Sequence, residues 1–450
     1  MTSADQLFDD VLVQKYGGSS VATPEKVVAV AGRIGDALKR TAHVVVAVSA
    51  MGKTTDQLIA MAREVSPSAR GREMDLLLAS GEQIAVSMVG LALQARGIAA
   101  VSLTASQCGI HTDGSFNKAR VRAVETARLV QELGAGRVVI VAGFQGVTVN
   151  DDITTLGRGG GDITGAVLAA ALNASSYENC TDVDGVYTAD PRIVTDARRI
   201  PHLSYEECIE LSAAGAKVLH PRAAEICMQY KVPIHVRHSF SGKPGTWIRE
   251  GAAMMERPSV VGVTTDRKVA KITLLDVKDQ PGIAAHVFRD LADAEINVRL
   301  IIQAAPAHER NRITFIIESD DIDAVKALIP GWKKSKTAGR VEIDTDVAKI
   351  AIVGSRIAST PGLGARMFTA LADRSINIDC ISTSEMKVSC VIGRGDLDQA
   401  VRAVHAEFFG TSRPAASKRT APAKRGASKV AATAKRVTAT RAGKTSGVGR

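Results

Sequence analysis

Residues 154–192 combine a glycine-rich loop, a helix and an acidic turn in a pattern that suits an anionic ligand. Four glycines crowd into residues 157–161, where only Arg158 interrupts them, and Asp162 then caps an apolar helical stretch. Glycine lets backbone N–H groups approach a ligand, the helix adds the positive end of its dipole, and a guanidinium is a fixed fork of donors. The loop is therefore predicted to bind phosphate or carboxylate groups.

A second polar loop follows the short strand predicted over residues 175–180. It begins at Thr181-Asp182 and ends at Arg192, and it brings an aromatic ring, an Asp and an Arg together. Polar loops at the ends of neighbouring α/β elements are where such folds bind ligands. The alternative is a surface glycine loop beside an unrelated acidic turn. The recurrence of Gly, Arg and Asp at both ends of one strand–helix unit disfavours that alternative.

The elements that must position these loops alternate between strand and helix. The predicted strands and helices are, in chain order, strand 11–15, helix 24–38, strand 44–48, helices 56–65 and 73–95, strand 99–103, helix 120–133 and strand 138–144. This alternation favours a largely parallel sheet that is covered by helices on both faces. A P-loop is excluded because Ala47 stands where its upstream glycine is required, and no G-x-G-x-x-G follows a strand.

The C-terminal half contains an internal repeat. Three segments recur: 269–272 as 347–350, 281–282 as 361–362, and 296–298 as 376–378. Each copy is predicted to run strand, Pro-Gly turn, amphipathic helix and strand. Two similar α/β units in tandem usually pack together, and their shared face suits a ligand.

Charge is distributed unevenly along the 450 residues, whose net charge is +10. Residues 411–450 hold 11 of the 57 Lys and Arg residues and no acid, which leaves 46 basic against 47 acidic residues elsewhere. The tail therefore carries the whole excess. It has almost no large apolar residues and is predicted to be disordered. Six scattered cysteines without a C-x-x-C pair disfavour zinc and disulfides. A polar N-terminus and short uninterrupted apolar runs predict a cytoplasmic protein without membrane contact.

Six segments resemble, in order along the chain, the signature segments of aspartate kinases: 15–21 (KYGGSSV), 49–52 (SAMG), 80–82 (SGE), 155–160 (TLGRGG), 181–192 and 215–221 (GAKVLHP). The resemblance runs from about residue 11 to residue 409, and the repeats resemble that family's paired ACT domains. It implies an amino-acid-kinase domain at 1–255, which is a three-layer α/β/α sandwich with a largely parallel sheet. Two α+β ACT domains at 256–335 and 340–410 and the basic tail at 411–450 follow.

The resemblance implies the reaction ATP + L-aspartate → 4-phospho-L-aspartate + ADP, which opens the route to lysine, threonine, methionine and diaminopimelate. The nucleophile is then the substrate's own carboxylate, whose pKa of roughly 4 leaves it ionised without a protein base. By resemblance, Lys15 and Lys217 hold the transferring phosphoryl group, Asp182 orients both lysines, and Mg²⁺ bridges the β- and γ-phosphates. The residues expected to bind ATP are Lys15, Tyr16, Gly17, Gly18, Thr181, Asp182, Tyr187, Thr188, Ala189, Asp190, Pro191 and Arg192.

The same resemblance assigns the amino-acid substrate to a second group of residues. Glu82 takes its ammonium, Arg158 takes its α-carboxylate as a bidentate pair, and Ser49 and Thr55 make polar contacts. The loop glycines Gly159, Gly160 and Gly161 complete this group. Taken alone, Glu82 is a helix-surface charge and Thr55 a helix cap. Gly161 stands where the family usually has serine, so Gly161→Ser is expected to tighten aspartate binding.

The ACT-like repeats are expected to bind lysine, threonine or both as feedback inhibitors and to join copies of the chain in a homo-oligomer. The expected effector residues are Asp279, Gln280, Pro281, Gly282, Ile283, Asn297, Gln303, Asn377, Ile378, Ser384 and Glu385. The effector's identity, the size of the oligomer and an internal start near Met254 or Met255 stay open.

Three other functions remain alternatives. The first is an amino-acid kinase acting on another carboxylate or a carbamate. The second is a regulatory protein with an inactive kinase domain. The third is a nucleic-acid binder, which rests only on non-specific phosphate contacts of the basic tail.

Overall fold

The computed structural model describes Phe8 and residues 10–216, 218–251, 259–303, 310–335 and 337–410. Four features of the sequence analysis lie outside these residues: Lys217, the two methionines near 254, and the tail at 411–450.

Eight strands form the main sheet of the N-terminal domain. Their spatial order is β10 (His202–Leu203), β12 (Thr246–Ile248), β11 (Ile234–His238), β9 (Ser176–Thr181), β1 (Val11–Tyr16), β2 (His43–Val48), β6 (Val138–Ala142) and β3 (Ala100–Leu103). Every neighbouring pair is parallel except β11 and β12. The prediction of a largely parallel sheet is confirmed.

Seven helices belong to this domain: α1 (Pro24–Leu38), α2 (Thr54–Val65), α3 (Arg72–Gln94), α4 (Ala127–Gly134), α5 (Gly160–Ala171), α6 (Tyr205–Ala214) and α7 (Pro221–Gln229). Alternate residues of a strand point to opposite faces of its sheet. Val44 and Val46 accordingly pack with α1 and α3 on one face, whereas Val45 and Ala47 pack in the cluster that contains α5, α6 and α7 on the other. The domain is therefore the predicted three-layer sandwich.

Local sequence explains where several of these helices begin. Thr23 caps α1 by accepting the N–H of Lys26, and Pro24 occupies the first turn, where its missing N–H is harmless. In α6, Ser204 and Glu207 form a reciprocal capping box.

A small second sheet corrects one prediction. Its strands are β5 (Val121–Val124), β4 (Ile110–Thr112), β7 (Gln145–Val147) and β8 (Ile153–Thr155). The helix predicted over 120–133 is wrong in its first part, because Val121 and Val124 belong to β5 and the helix begins only at Ala127. Both valines are partly buried against the core, and β-branched side chains suit such a pleated, half-buried position.

By length and composition alone, helix α3 could cross a membrane. The sequence did not indicate this, because polar residues interrupt its apolar stretches. Half of its most apolar window is buried inside the protein. The core helix of a folded domain can have the same length and composition.

Two four-stranded antiparallel sheets make up the C-terminal repeats. The first contains β15 (Leu300–Gln303), β16 (Arg310–Glu318), β14 (Val269–Lys278) and β17 (Arg340–Asp344), with helices α8 (Ile283–Asp293) and α9 (Ile322–Lys334). The second contains β13 (Gly262–Asp266), β18 (Val347–Val353), β20 (Lys387–Gly393) and β19 (Cys380–Thr383), with helices α10 (Leu363–Ala372) and α11 (Leu397–Phe409). The predicted order of strand, Pro-Gly turn, helix and strand is present in both.

The two repeats exchange strands. Strand β13 precedes the first repeat in the chain but pairs with β18 of the second sheet. Strand β17 follows the first repeat's last helix, within the range assigned to the second repeat, yet it pairs with β14 of the first sheet. The two predicted ACT domain ranges, 256–335 and 340–410, therefore do not coincide with the two sheets. Each sheet contains one strand from outside its own range in the chain.

Candidate active site

Lys15 and Asp162 form the centre of the candidate site. Lys15 lies near the carboxyl end of β1, between β2 and β9, and Asp162 lies in the first turn of α5. Their Nζ and Oδ1 atoms are 2.7 Å apart, and the side chains are only 12% and 13% exposed. The other carboxylate oxygen of Asp162 accepts the backbone N–H of His220 at 2.9 Å. The lysine is thus held beside the positive end of a helix.

Asp182 does not occupy the position that the resemblance implied. The side chain that pairs with Lys15 is Asp162, whereas Asp182 is exposed and accepts the hydroxyl of its neighbour Thr181 at 3.1 Å. From its sequence context, Asp162 is expected only as a helix cap. The cap position is instead Gly159, three residues earlier, so the Asp162 side chain is free to contact the lysine.

The turn after β1 brings backbone close to the lysine. A Cβ atom at Gly17 would lie 3.3 Å from the Lys15 Nζ atom, and one at Gly18 would lie 2.6 Å from the Ala50 carbonyl oxygen. The N–H of Gly52 donates to the Gly18 carbonyl at 3.0 Å, which ties this turn to the loop after β2. Side chains larger than hydrogen are excluded at Gly18 by backbone atoms.

The glycine-rich loop that leads into α5 is closely packed. Gly159 has φ 78° in the left-handed region, and a Cβ there would lie 2.3 Å from the imidazole of His220. At Gly161 a Cβ would lie 2.5 Å from the Ser49 Oγ atom and 3.4 Å from the Lys15 Cε atom. The Ser49 hydroxyl therefore occupies the space that a side chain at 161 would need.

Glu82 is a buried acid on α3, and only one of its two carboxylate oxygens accepts a hydrogen bond from a described residue. It is 2% exposed, and its Oε1 atom accepts the N–H of Ala50 at 3.0 Å. Its Oε2 atom is buried and has no hydrogen-bond partner among the described residues. Burial raises the pKa of Glu82 to about 7, against the weaker opposing effect of the Ala50 N–H. A cationic group of a ligand would satisfy the free oxygen.

Arg158 and Thr55 lie at the edge of this cluster. The Arg158 side chain is 87% exposed, and its Nη2 atom lies 3.8 Å from the Asp320 Oδ2 atom of the first repeat. Thr55 is in the first turn of α2, half-buried, and is not the cap, since the helix begins at Thr54 after Lys53. The structure thus brings Lys15, Ser49 and the glycines together and leaves Arg158 at the rim.

The second loop lines a cavity of about 210 Å³. Tyr187, Ala189 and Asp190 contribute to its wall, and Val263 of β13 and Val401 of α11 contribute from the second repeat. Asp190 and Arg192 form an ion pair with each other, at 2.7 Å between Oδ2 and Nη2. The Arg192 guanidinium lowers the pKa of Asp190.

Thr188 connects the second loop to the second C-terminal repeat. Its carbonyl accepts the Val263 N–H at 2.7 Å, and its hydroxyl lies 2.9 Å from the buried His405 Nε2 atom. Burial lowers the pKa of His405. Thr188 is therefore a structural contact to the second repeat, although the resemblance placed it among the ATP-binding residues.

Five of the residues expected to bind an effector, 279–283, form the turn that leads into α8, and an equivalent turn leads into α10. The other six lie elsewhere in the repeats: Asn297 before β15, Gln303 at its end, Asn377 and Ile378 between α10 and β19, and Ser384 and Glu385 between β19 and β20. Gly282 (φ 94°) and Gly362 (φ 89°) precede α8 and α10 in the same left-handed conformation. In the first repeat the Asp279 Oδ1 atom accepts the Asn311 side-chain N–H at 2.8 Å, while the buried Asn311 Oδ1 atom has no hydrogen-bond partner within the described part of the chain. Asn311 was missed, because the irregular stretch before it hid its position in β16.

These features define an amino-acid kinase with tandem ACT domains. The amino acid kinase family profile matches residues 10–238, and the ACT domain profile matches residues 275–329 and 350–408. Within that class, the chain belongs to the aspartokinase family.

Aspartokinases from other organisms are similar to this protein over most of its length. The aspartokinase of Thermus thermophilus is 43% identical over 401 residues, which is 88% of this chain and 98% of that protein. The crystal structure of E. coli aspartokinase III with aspartate and ADP (R-state) has a TM-score of 0.77 at 25% identity, covering 89% of this chain and 100% of that one. The T-state structure of E. coli aspartokinase III with lysine and aspartate has a TM-score of 0.66 at 25% identity, with coverages of 89% and 99%. The expectation of an ATP-using aspartate kinase with ACT domains is confirmed.

Proposed function

We propose that the enzyme transfers the γ-phosphoryl group of ATP to the side-chain carboxylate of L-aspartate, giving 4-phospho-L-aspartate and ADP. The observation that carries this is the Lys15–Asp162 pair at the strand ends, beside the α5 N-terminus. A fixed cation and a helix dipole together stabilise charge that spreads over transferring phosphoryl oxygens.

The chain's own residues then supply position and charge. Asp162 holds the Lys15 ammonium in place, so that no side-chain reorganisation is needed as charge develops. Gly17 and Gly18 let the backbone approach the phosphates, because no side chain intervenes. Lys217, as implied by the resemblance, would act from the other side of the phosphoryl group.

Mg²⁺ fits this site as a companion of the nucleotide. Among the described residues no three His, Cys, Asp or Glu side chains converge on a common point. The ion would therefore be bound through the phosphates of ATP, whose negative charge it neutralises, as is usual for Mg²⁺ in kinases. The cavity beside Tyr187 and Asp190 would hold the nucleoside part.

Substrate selection rests on Glu82 and Arg158. The free buried oxygen of Glu82 would accept the aspartate ammonium, and a guanidinium on the glycine loop would bind the α-carboxylate with two parallel hydrogen bonds. Ser49 and Thr55 add hydroxyl groups on the remaining side. Two charged ends recognised at once would favour a free amino acid over an N-acylated one.

Feedback inhibition is supported by direct contacts between the halves of the chain. The first ACT domain reaches the glycine loop at Arg158–Asp320 and the neighbouring loop at Lys118–Glu295, where Nζ and Oε2 are 3.6 Å apart. An effector that binds the inactive arrangement better shifts the equilibrium toward it, typically by about 1–3 kcal/mol. Lysine, threonine or both would bind at the Asp279 turn, and ACT domains would also join copies of the chain.

Trapping with hydroxylamine tests the chemistry. An acyl phosphate on the side chain reacts to give aspartate β-hydroxamate, whereas phosphorylation of the α-carboxylate gives the α-hydroxamate, and mass spectrometry separates the two. The proposal predicts the β product, which lysine or threonine suppresses. An α product, or ADP release without hydroxamate, would refute it.

A further inference from the structure

Asp75 is a fully buried carboxylate without a cationic partner. It is 0% exposed in the first turn of α3, and no described Lys, Arg or His side chain forms an ion pair with it. Four hydrogen bonds reach it instead. Its Oδ2 atom accepts the N–H groups of Asn117 (2.8 Å) and Thr155 (2.7 Å). Its Oδ1 atom accepts the Thr155 hydroxyl (2.8 Å) and the Asn117 side-chain amide.

These four donors come from two loops that meet in front of α3. Thr155 is the last residue of β8, immediately before the glycine-rich loop, and Asn117 lies in the connection between β4 and β5. The loops also bond to each other, since the Ala119 N–H donates to the Thr155 carbonyl at 2.9 Å. A Cβ at Gly157 would lie 3.0 Å from the Asn117 carbonyl oxygen. Asp75 therefore fixes the point from which the glycine loop departs.

Arg222 of α7 holds the same two loops from the other side. Its Nη1 atom donates to the Leu156 carbonyl at 3.2 Å, and its Nη2 atom donates to the Ala119 carbonyl at 3.3 Å. The glycine loop is thus fastened to two helices, but only the attachment at Asp75 uses a buried charge.

Helix α3 also carries Glu82. Seven residues are about two helical turns, so Asp75 and Glu82 lie on one face of α3, roughly 10 Å apart along its axis. We propose that Asp75 is a positioning residue that sets the distance between Glu82 and Arg158, and hence between the sites for the ammonium and the α-carboxylate of the amino-acid substrate. This inference rests on the proposed roles of those two residues.

Asp75→Asn is the test, because it keeps the side chain's volume while its amide meets at least one N–H donor. The glycine loop should then loosen, with faster hydrogen exchange in peptides covering residues 153–161. The KM for L-aspartate should rise about tenfold, the loss expected when a hydrogen bond to a charged acceptor is removed. The KM for ATP should stay within about twofold, because the described hydrogen bonds to Asp75 come from Asn117 and Thr155 and not from the loops that would bind ATP.

Glu132→Gln is the matched control. Glu132 of α4 is also a buried carboxylate, 3% exposed, and it pairs with Arg128 of the same helix and with Arg137 just before β6. It should change thermal stability without changing the KM for aspartate or exchange at 153–161. If Asp75→Asn does not fold, Thr155→Val is the second test, because it removes the hydroxyl donor to Asp75. It should raise the KM for aspartate and the exchange at 153–161 in the same direction but by less.

Arg158→Gln separates this inference from the proposed function. If it leaves the KM for aspartate unchanged, the role of Arg158 is wrong, whatever Asp75 does. If Arg158→Gln raises that KM but Asp75→Asn or Thr155→Val changes neither exchange at 153–161 nor the KM for aspartate, the positioning role of Asp75 is refuted. Equal increases in the KM values of both substrates would also refute it.

Discussion

The Lys15 ammonium lies 2.7 Å from the Asp162 carboxylate, where a parallel strand ends and a helix begins. Both side chains are largely shielded from water, so their attraction is screened less than that of a surface pair. The pair fixes a cation at the positive end of α5 before any substrate arrives.

Asp162→Asn should lower kcat by about 10²–10³, since a misplaced cation forfeits a preorganised charge on the transition state. Asp182→Asn is the matched control and should change kcat by no more than a few-fold, because Asp182 is exposed and its hydrogen bond among the described residues is to its neighbour Thr181. Steady-state kinetics under saturating substrates decide between them. The reverse order of effects would restore Asp182 as the residue that orients the lysine.

Glu82 should make aspartate binding depend on pH. Burial raises its pKa to about 7, so the carboxyl is largely neutral at pH 6 and cannot pair with an ammonium. The kcat/KM for aspartate should therefore rise through a step centred near pH 7, while Glu82→Gln has a low and flat profile. The kcat/KM for ATP serves as the control. A wild-type profile without a step near pH 7 would contradict this role.

The same acid should destabilise the fold at high pH. In the folded state Glu82 keeps its proton at pH values where the unfolded chain has lost it. Stability therefore falls as the pH rises from about 4.5 to about 7. The full shift corresponds to roughly 3 kcal/mol. Glu82→Gln should consequently melt a few degrees higher than wild type at pH 8 and equally at pH 4.5, as measured by calorimetry. An equal or lower melting temperature at pH 8 would oppose this prediction.

Gly161→Ser should weaken the enzyme, which reverses the expectation drawn from the sequence. The Ser49 hydroxyl lies 2.5 Å from where the new Cβ would be, so Ser49 must rotate away and the Lys15 side chain is crowded. The KM for aspartate should rise or kcat should fall. Adding Ser49→Ala should recover part of the loss. Tighter aspartate binding by Gly161→Ser alone would support the original expectation.

Asp320→Asn should raise the apparent affinity for aspartate slightly. Asp320 of the first ACT domain lies beside Arg158 and competes with the substrate carboxylate for it. Exposed pairs contribute about 0–1 kcal/mol, so the KM should fall by no more than about fivefold, and less at high salt. Asp323→Asn, whose carboxylate pairs with Lys326 at the surface, should leave the KM unchanged. A higher KM in Asp320→Asn would show that the pair supports the active arrangement.

Truncation after Gly410 should leave turnover and feedback inhibition intact. The cut keeps the end of α11, where Arg198 donates to the Phe409 carbonyl at 2.8 Å. The 11 basic residues removed are proposed to contact nucleic acid phosphates, so full-length protein should shift duplex DNA at ~50 mM salt and lose this binding as salt rises. The truncated protein should not shift DNA. A full-length protein that fails to shift it would leave the tail without this function.

The sequence was sufficient for most of the architecture and for the chemical character of the site. Alternating strands and helices gave the parallel sheet, and the Pro-Gly turns gave the repeats. The glycines and Lys15 come together as their positions at strand ends require. These features are local, so a single segment contains the information.

The structure differs from the sequence-based predictions where residues that are distant in the chain contact each other. The strand exchange of β13 and β17 leaves no periodic trace, because either strand could pair with either sheet. The contact of Asp162 with Lys15 depends on α5 beginning at Gly160, three residues earlier than a cap at Asp162 would place it. Asp75 has no sequence feature that marks it as buried, because two loops that are distant in the chain bury it in the fold.

The most direct test of the central claim is ADP release measured in parallel with L-aspartate, N-acetyl-L-glutamate and UMP as acceptors, using Lys15→Ala as the blank. The proposal predicts turnover with L-aspartate alone, at least about a hundredfold above the Lys15→Ala rate. Turnover with another acceptor, or an aspartate rate equal to that of Lys15→Ala, would contradict it.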